Sequence, residues 1–260
     1  MNNIQRYLLL TLAALVCLGT AHAQEDRSQA VIASARHGLE YEVKAGISIG
    51  GTSPLPLPEE IRKIEGFSPT FCFAIEGDAV KWFDRHWGLL AGLRFETKGM
   101  ETKANVKNYG MEITGDAGER VSGCWTGMVK TKYRSTLATV PVLVTFQANR
   151  RLRVHAGPYI SVKLDGDFSG YVFDGYLREG DPTGNKVEFT DGRTADYDFS
   201  EELRPVQYGI QAGVNWRAFK HLTLSGDLSW GLNDVFRKDF STIAFPMYPI
   251  YVTLGFGYAF

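Results

Sequence analysis

Positions 248–260 alternate without a break. Tyr248, Ile250, Val252, Leu254, Phe256, Tyr258 and Phe260 share one face, and Pro249, Tyr251, Thr253, Gly255, Gly257 and Ala259 share the other. A period of two over this length predicts a β-strand longer than the usual five or six or so residues. Similar alternation recurs at about 41–50, 70–76, 87–98, 138–147, 152–165, 207–216 and 222–232. The pattern therefore predicts eight strands, with no helix beyond the N-terminal residues and no break that would place a second domain.

The intervals between these segments also alternate. Those at about 77–86, 148–151 and 217–221 are short, whereas 51–68, 99–134, 166–206 and 233–246 are long. Short turns on one side and long loops on the other predict an all-β, eight-stranded antiparallel up-and-down transmembrane barrel, with periplasmic turns and extracellular loops. A soluble eight-stranded barrel of the lipocalin kind would alternate too, with its apolar face inward. Four features favour the inverted arrangement. Glycines crowd the polar face, where a narrow barrel needs room. The apolar face has no Lys, Arg, Asp or Glu. Tyr41, Trp87, Phe146, Trp216, Tyr258 and Phe260 fall at the short-turn rim, with Phe71, Phe95, Tyr208, Trp230 and Tyr248 toward the other, as two aromatic girdles. The chain also ends in an apolar-facing strand.

Composition alone would not reveal this. The chain has 260 residues, 44% of them hydrophobic, with 28 Lys+Arg against 29 Asp+Glu, a balance that offers nothing to a nucleic acid. Beyond the N-terminus no apolar run is long enough for a helical membrane span. Gly 28 and 13% aromatics are the departures from average, and both suit tight strands. The first residues read as an export signal. Arg6 precedes the apolar run 7–19, and Ala21-His22-Ala23 places small residues before Gln24. The expected organisation is a signal peptide at 1–23, a short periplasmic segment at 24–37 and a barrel domain at 38–260 in the cell outer membrane. Cys17 suggests a lipoprotein alternative, but Val16 is too large for the position before a lipidated cysteine. Cys72 and Cys124 permit one disulfide in an oxidising compartment, and two unrelated thiols are the simpler reading.

The motifs Val43-Lys44-Ala45-Gly46-Ile47-Ser48, Val140-Pro141-Val142-Leu143 and Ala156-Gly157-Pro158-Tyr159, with the leader and the aromatic C-terminus, are individually short. In this order and spacing the chain resembles the PorT-like family of outer-membrane β-barrels over nearly all its mature length. The resemblance implies an eight-stranded barrel and no single shared activity. Phe260 likewise resembles the C-terminal signal read by the barrel-assembly machinery.

Eight strands enclose a space that side chains nearly fill, so an open pore is not expected. The charged lumen positions are Glu42, Glu76, Glu96, Asp165 and Asp227 against Lys44, Arg94, Lys98, Arg153 and Lys163, with His155. Buried charges must pair, and Lys44 with Glu76 is the first expected pair. A barrel enzyme would need a general base toward its extracellular half. His22 lies in the leader, His37 precedes the first strand, His86 and His221 fall in short turns, and His155 lies near the periplasmic end. No catalytic residue, metal site or cofactor is expected. The loops remain. Residues 171–203 hold nine acids against three bases, and Asp181-Pro182-Thr183-Gly184 predicts the tip of a projecting hairpin. Trp125 and Tyr109 offer an anchor in the loop 99–134. The chain reads as a small barrel in contact with outer-membrane lipid and lipopolysaccharide, structural or binding an extracellular ligand or envelope protein through its loops. The alternatives are a component of an envelope-assembly or secretion machine and, more remotely, a lipid-modifying barrel enzyme.

Overall fold

The computed structural model describes residues 39–114 and 120–260, so the expected leader and the segment 24–37 lie outside the described residues. The described chain forms ten strands: β1 (Leu39–Pro54), β2 (Ile61–Pro69), β3 (Cys72–Trp82), β4 (Trp87–Thr114), β5 (Arg120–Gln147), β6 (Leu152–Glu179), β7 (Lys186–Asp198), β8 (Val206–Arg217), β9 (Leu222–Gly231) and β10 (Met247–Ala259). Eight of them close a ring in the order β1-β3-β4-β5-β6-β8-β9-β10, and β10 returns antiparallel to β1 from Glu42↔Ala259 to Pro54↔Met247. From Glu42 to Ser48 β1 is paired on both sides, so closure leaves this lower part of the ring without a free edge.

The ring is inverted relative to a water-soluble protein. Val43, Ile47, Phe73, Ile75, Val142, Val144, Val214, Leu228, Val252 and Leu254 are exposed on the outside, while Glu42, Lys44, Glu76, Arg94, Glu96 and Asp227 are buried inside. Only hydrocarbon around the ring makes that arrangement favourable. The tight turns are set by single side chains. Asp84 Oδ1 accepts from the N–H groups of His86 and Trp87 at 2.6 and 2.7 Å, and Asn149 Oδ1 accepts from those of Arg151 and Leu152, each at 2.9 Å.

The long intervals between predicted strands are mostly not loops. β4, β5 and β6 each run 28 residues, far beyond the roughly 9–11 that cross a bilayer. The interval 99–134 is the upper part of the β4–β5 hairpin, β7 folds back along β6, and β2 pairs with the upper part of β4. The hairpin expected around Asp181 is present: Thr183 N–H and Oγ1 donate to Asp181 Oδ1 at 2.7 and 2.6 Å, and Gly184 N–H donates to the Asp181 carbonyl. The predicted strand ends fell short because the polarity phase reverses there. Below, the inward residues of β4 are Arg94, Glu96 and Lys98. Above, Met100, Ala104 and Val106 point in, and Lys103, Asn105 and Lys107 point to solvent. The expected turn 77–86 is also shorter, since β3 continues to Trp82 and carries Asp78 and Val80 into the lumen.

Candidate functional site

The polar contacts of the lumen form two groups, one at the periplasmic end and one above it. At the periplasmic end Glu40 accepts from Trp82 Nε1 at 3.1 Å and from Arg217, with Arg153 3.7 Å away. Glu42, one inward position higher on β1, accepts from Arg153, from the Thr223 hydroxyl and from Asn215 Nδ2. Lys44 pairs with Asp78 at 2.6 Å and with Glu76 at 3.7 Å, and Arg94 Nε donates to Glu76 at 2.7 Å. Arg94 Nη2 reaches Gln211 Oε1 at 3.0 Å, and Gln211 Nε2 donates to Asp227, which also holds His155 Nε2 at 2.5 Å. Above them Glu96 takes Lys98 at 3.3 Å and the Thr139 hydroxyl at 2.7 Å. Lys98 Nζ lies 5.4 and 5.5 Å from the ring centres of Tyr159 and Tyr251, whose faces add to its surroundings.

Backbone positions without side chains make this packing possible. A Cβ on Gly92 would lie 2.1 Å from Asp78 Oδ1, and one on Gly213 would lie 2.2 Å from Asp227 Oδ1 and 2.6 Å from His155 Nε2. Val80, Leu90 and Leu143 fill a further part of the interior with an apolar cluster backed by Trp82. The cavity between Lys44, Glu76, Ser225 and Asp227 measures about 10 Å³, room for roughly one water.

Of the expected lumen charges, the structure joins Glu42, Lys44, Glu76, Arg94, Glu96, Lys98, Arg153, His155 and Asp227. Lys163 and Asp165 do not belong with them. Lys163 is half-buried and donates to the Leu203 carbonyl at 3.0 Å, and Asp165 is exposed. The physical cause is a register shift between Thr136 and Leu137 opposite these residues, where β6 leaves the barrel. Lys44 and Glu76 face each other in register, but the shorter contact of Lys44 is to Asp78. Asp78 and Glu40 were missed by a reading that ended strands early; continuing the alternation by two residues finds the first. Among the girdle residues, Tyr41, Trp87, Trp216, Tyr258 and Phe260 are exposed at the periplasmic rim, joined by Phe83 and Phe219 from the turns. Phe146 is half-covered by Trp87, 4.8 Å between ring centres. Trp230 is exposed and Tyr248 half-buried at the opposite rim. Cys72 and Cys124 are separate free thiols.

Above the ring the extended strands enclose a second interior, and it is apolar. Met100, Trp125, Val129, Phe168, Leu177, Phe199 and Phe236 are buried together, with Phe168 and Phe236 packed edge to face at 4.8 Å and Trp125 against Phe189 at 5.4 Å. Burial pushes the Tyr109 and Tyr197 phenols above their ordinary range. Tyr197 shares a 2.6 Å hydrogen bond with the Thr131 hydroxyl, which ties β7 to β5. A short 3-10 turn at Ser200–Glu202 closes this headpiece, with Ser200 Oγ accepting from the Phe168 N–H at 3.0 Å. On its outer surface Glu101, Lys130, Lys132, Ser169, Tyr171, Asp196 and Asp198 line a groove of about 420 Å³, a size suited to a small ligand or a peptide side chain.

A closed antiparallel ring, lipid-facing outside and ionic inside, defines a transmembrane β-barrel of the outer-membrane class. The sequence agrees: residues 22–237 match the model of the outer membrane protein beta-barrel domain, and the chain belongs to that family. Comparison with curated proteins by sequence finds no match. Among solved structures the chain is similar to Ail, the attachment invasion locus protein of Yersinia pestis, crystallised with the heparin analogue sucrose octasulfate. Identity is 12%, coverage is 85% of this chain and 99% of Ail, and the TM-score is 0.37. It is also similar to Neisserial surface protein A, at 11% identity, 86% and 97% coverage and a TM-score of 0.36. The outer membrane protease OmpT from Escherichia coli aligns at 11% identity, with 86% and 94% coverage and a TM-score of 0.34.

Proposed function

We propose that this barrel is a non-catalytic binding protein of the cell surface, acting through its extracellular headpiece. The observation that carries the reading is the division of labour between the two interiors. The lumen is closed by interlocked ion pairs, whereas the headpiece has its own apolar core, a rigid support for a recognition surface. The groove between Lys130, Lys132, Asp196 and Asp198 is the contact surface on which this reading rests. His155, the histidine nearest to a catalytic arrangement, is spent on Asp227 inside the barrel. The leader at 1–23 supports export through the periplasm, and Phe260 supports delivery by the barrel-assembly machinery. The motifs at 43–48, 140–143 and 156–159 support a place within the PorT-like branch.

Surface display separates this role from one in envelope assembly or secretion. Cells producing a chain with Lys130→Glu and Lys132→Glu should lose adhesion that the unaltered chain confers, with the barrel still assembled and secretion intact. A secretion defect with adhesion unchanged would select the assembly role instead.

A further inference from the structure

The wall of the barrel has an unzipped seam at its extracellular end. β1 pairs with β3 only as far as Ser48↔Cys72, although β1 itself continues to Pro54. Beyond that point the neighbouring position belongs to β2, which is hydrogen-bonded to β4 and has no ladder with β1. The Thr52 N–H, facing this gap, donates to the thioether of Met100 at 3.1 Å, a weak acceptor where a backbone carbonyl would normally stand. At Gly51 a Cβ would lie 2.9 Å from Met100 Sδ and 3.3 Å from the Phe67 ring. Two movable side chains therefore close the seam in place of a β-ladder.

Behind it lies a cavity of about 340 Å³ that reaches from Leu57, Ile64 and Phe67 at the surface into the headpiece core, and none of its lining residues is charged. Leu57, Ile64 and Phe67 are each about half exposed. One lip is Ile250, opposite Gly51 in register and beside Trp230, a residue of the extracellular girdle. The cavity is thus continuous with the lipid-facing surface and has no group that would hold a charged ligand. We infer that it receives one acyl chain of an outer-leaflet lipid, whose headgroup stays at the membrane surface. Met100 suits this use, since an unbranched thioether side chain can swing aside with little rearrangement. An acyl chain inserted here fastens the headpiece to the leaflet below it.

The test uses the full chain in nanodiscs of dimyristoyl phosphatidylcholine doped with a phosphatidylcholine bearing a diazirine on its acyl chain. After irradiation, adducts on residues 61–67 and Met100 should exceed severalfold those on Leu177, which is buried in the headpiece core outside the cavity. Ala104→Phe, which fills the cavity, should remove the excess, and Phe67→Ala, which opens the seam, should increase labelling of Met100. Equal labelling of Met100 and Leu177 would overturn the assignment. So would strong labelling by a free diazirine fatty acid when the lipid probe leaves the seam unmarked. If Ala104→Phe fails to fold, Phe67→Ala decides the outcome alone.

Discussion

The lower and upper halves of β4 belong to one continuous strand yet obey opposite rules. Around Arg94 and Glu96 the strand turns charge inward and apolar side chains outward. Around Met100 and Val106 it turns apolar side chains inward and Lys103 and Lys107 outward. The backbone geometry does not change between them; the medium outside does. Where hydrocarbon surrounds the sheet, polar groups can be satisfied only inside, by each other. Where water surrounds it, the ordinary hydrophobic effect applies and the interior becomes a packed core. The lumen is accordingly directional, held by ion pairs and hydrogen bonds, and the headpiece is held by area and fit.

Removing a charge should therefore damage the lower region most. Arg94→Ala takes from Glu76 its shortest cation contact and should cost roughly 3–5 kcal/mol, read as a lowered urea midpoint for unfolding from vesicles. The apolar counterpart is Leu177→Ala in the headpiece, expected to cost roughly 2–5 kcal/mol. Its damage should stay local, so that protease clips the headpiece while the barrel still migrates faster unboiled than boiled in electrophoresis. Coincident loss of both regions would break the comparison. A charge on the lipid face separates the media directly. Val252→Arg should cost roughly 2–4 kcal/mol near the bilayer centre, whereas Tyr171→Arg on the water-facing part of β6 should leave the same unfolding midpoint nearly unchanged. The smallest effect is expected at the exposed tip of the β6–β7 hairpin. Donation by the Thr183 hydroxyl and N–H lowers the Asp181 carboxyl below its usual value. A lowered carboxyl pKa stabilises the turn above about pH 4, and that contribution fades as pH falls through the lowered value. A lower protection factor at the Thr183 amide in acid, after correction for the intrinsic pH dependence of exchange and with no change in the barrel, is the expected result.

Period-two alternation made the ring legible from the chain alone, because lipid tolerates no exception on the outer face of eight strands. It also exposed most of the ionic lumen, since a Glu, Lys or Arg on such a strand has only one direction to face. Asp78 was hidden by its place one step beyond a glycine, in what looked like a turn. Lys163 and Asp165 were misplaced because a bulge against Thr136 and Leu137 alters the register, and a register shift leaves no trace in residue type. The headpiece was hidden for a different reason. Its alternation is present in Met100, Thr102, Ala104 and Val106, but in the opposite phase, and the glycines and bulge near Val106 and Tyr109 break it into short pieces.

By itself the sequence determined which faces meet lipid, how many strands cross it and where the tight turns fall, since each depends on local polarity and local hydrogen bonding. Only the tertiary structure decided that Glu42 meets Arg153, that Lys44 prefers Asp78 to Glu76, and that three 28-residue strands rise above the membrane to share an apolar core. Those outcomes depend on which strand lies beside which and in what register. Register is a property of the closed ring, and no stretch of the chain carries it alone.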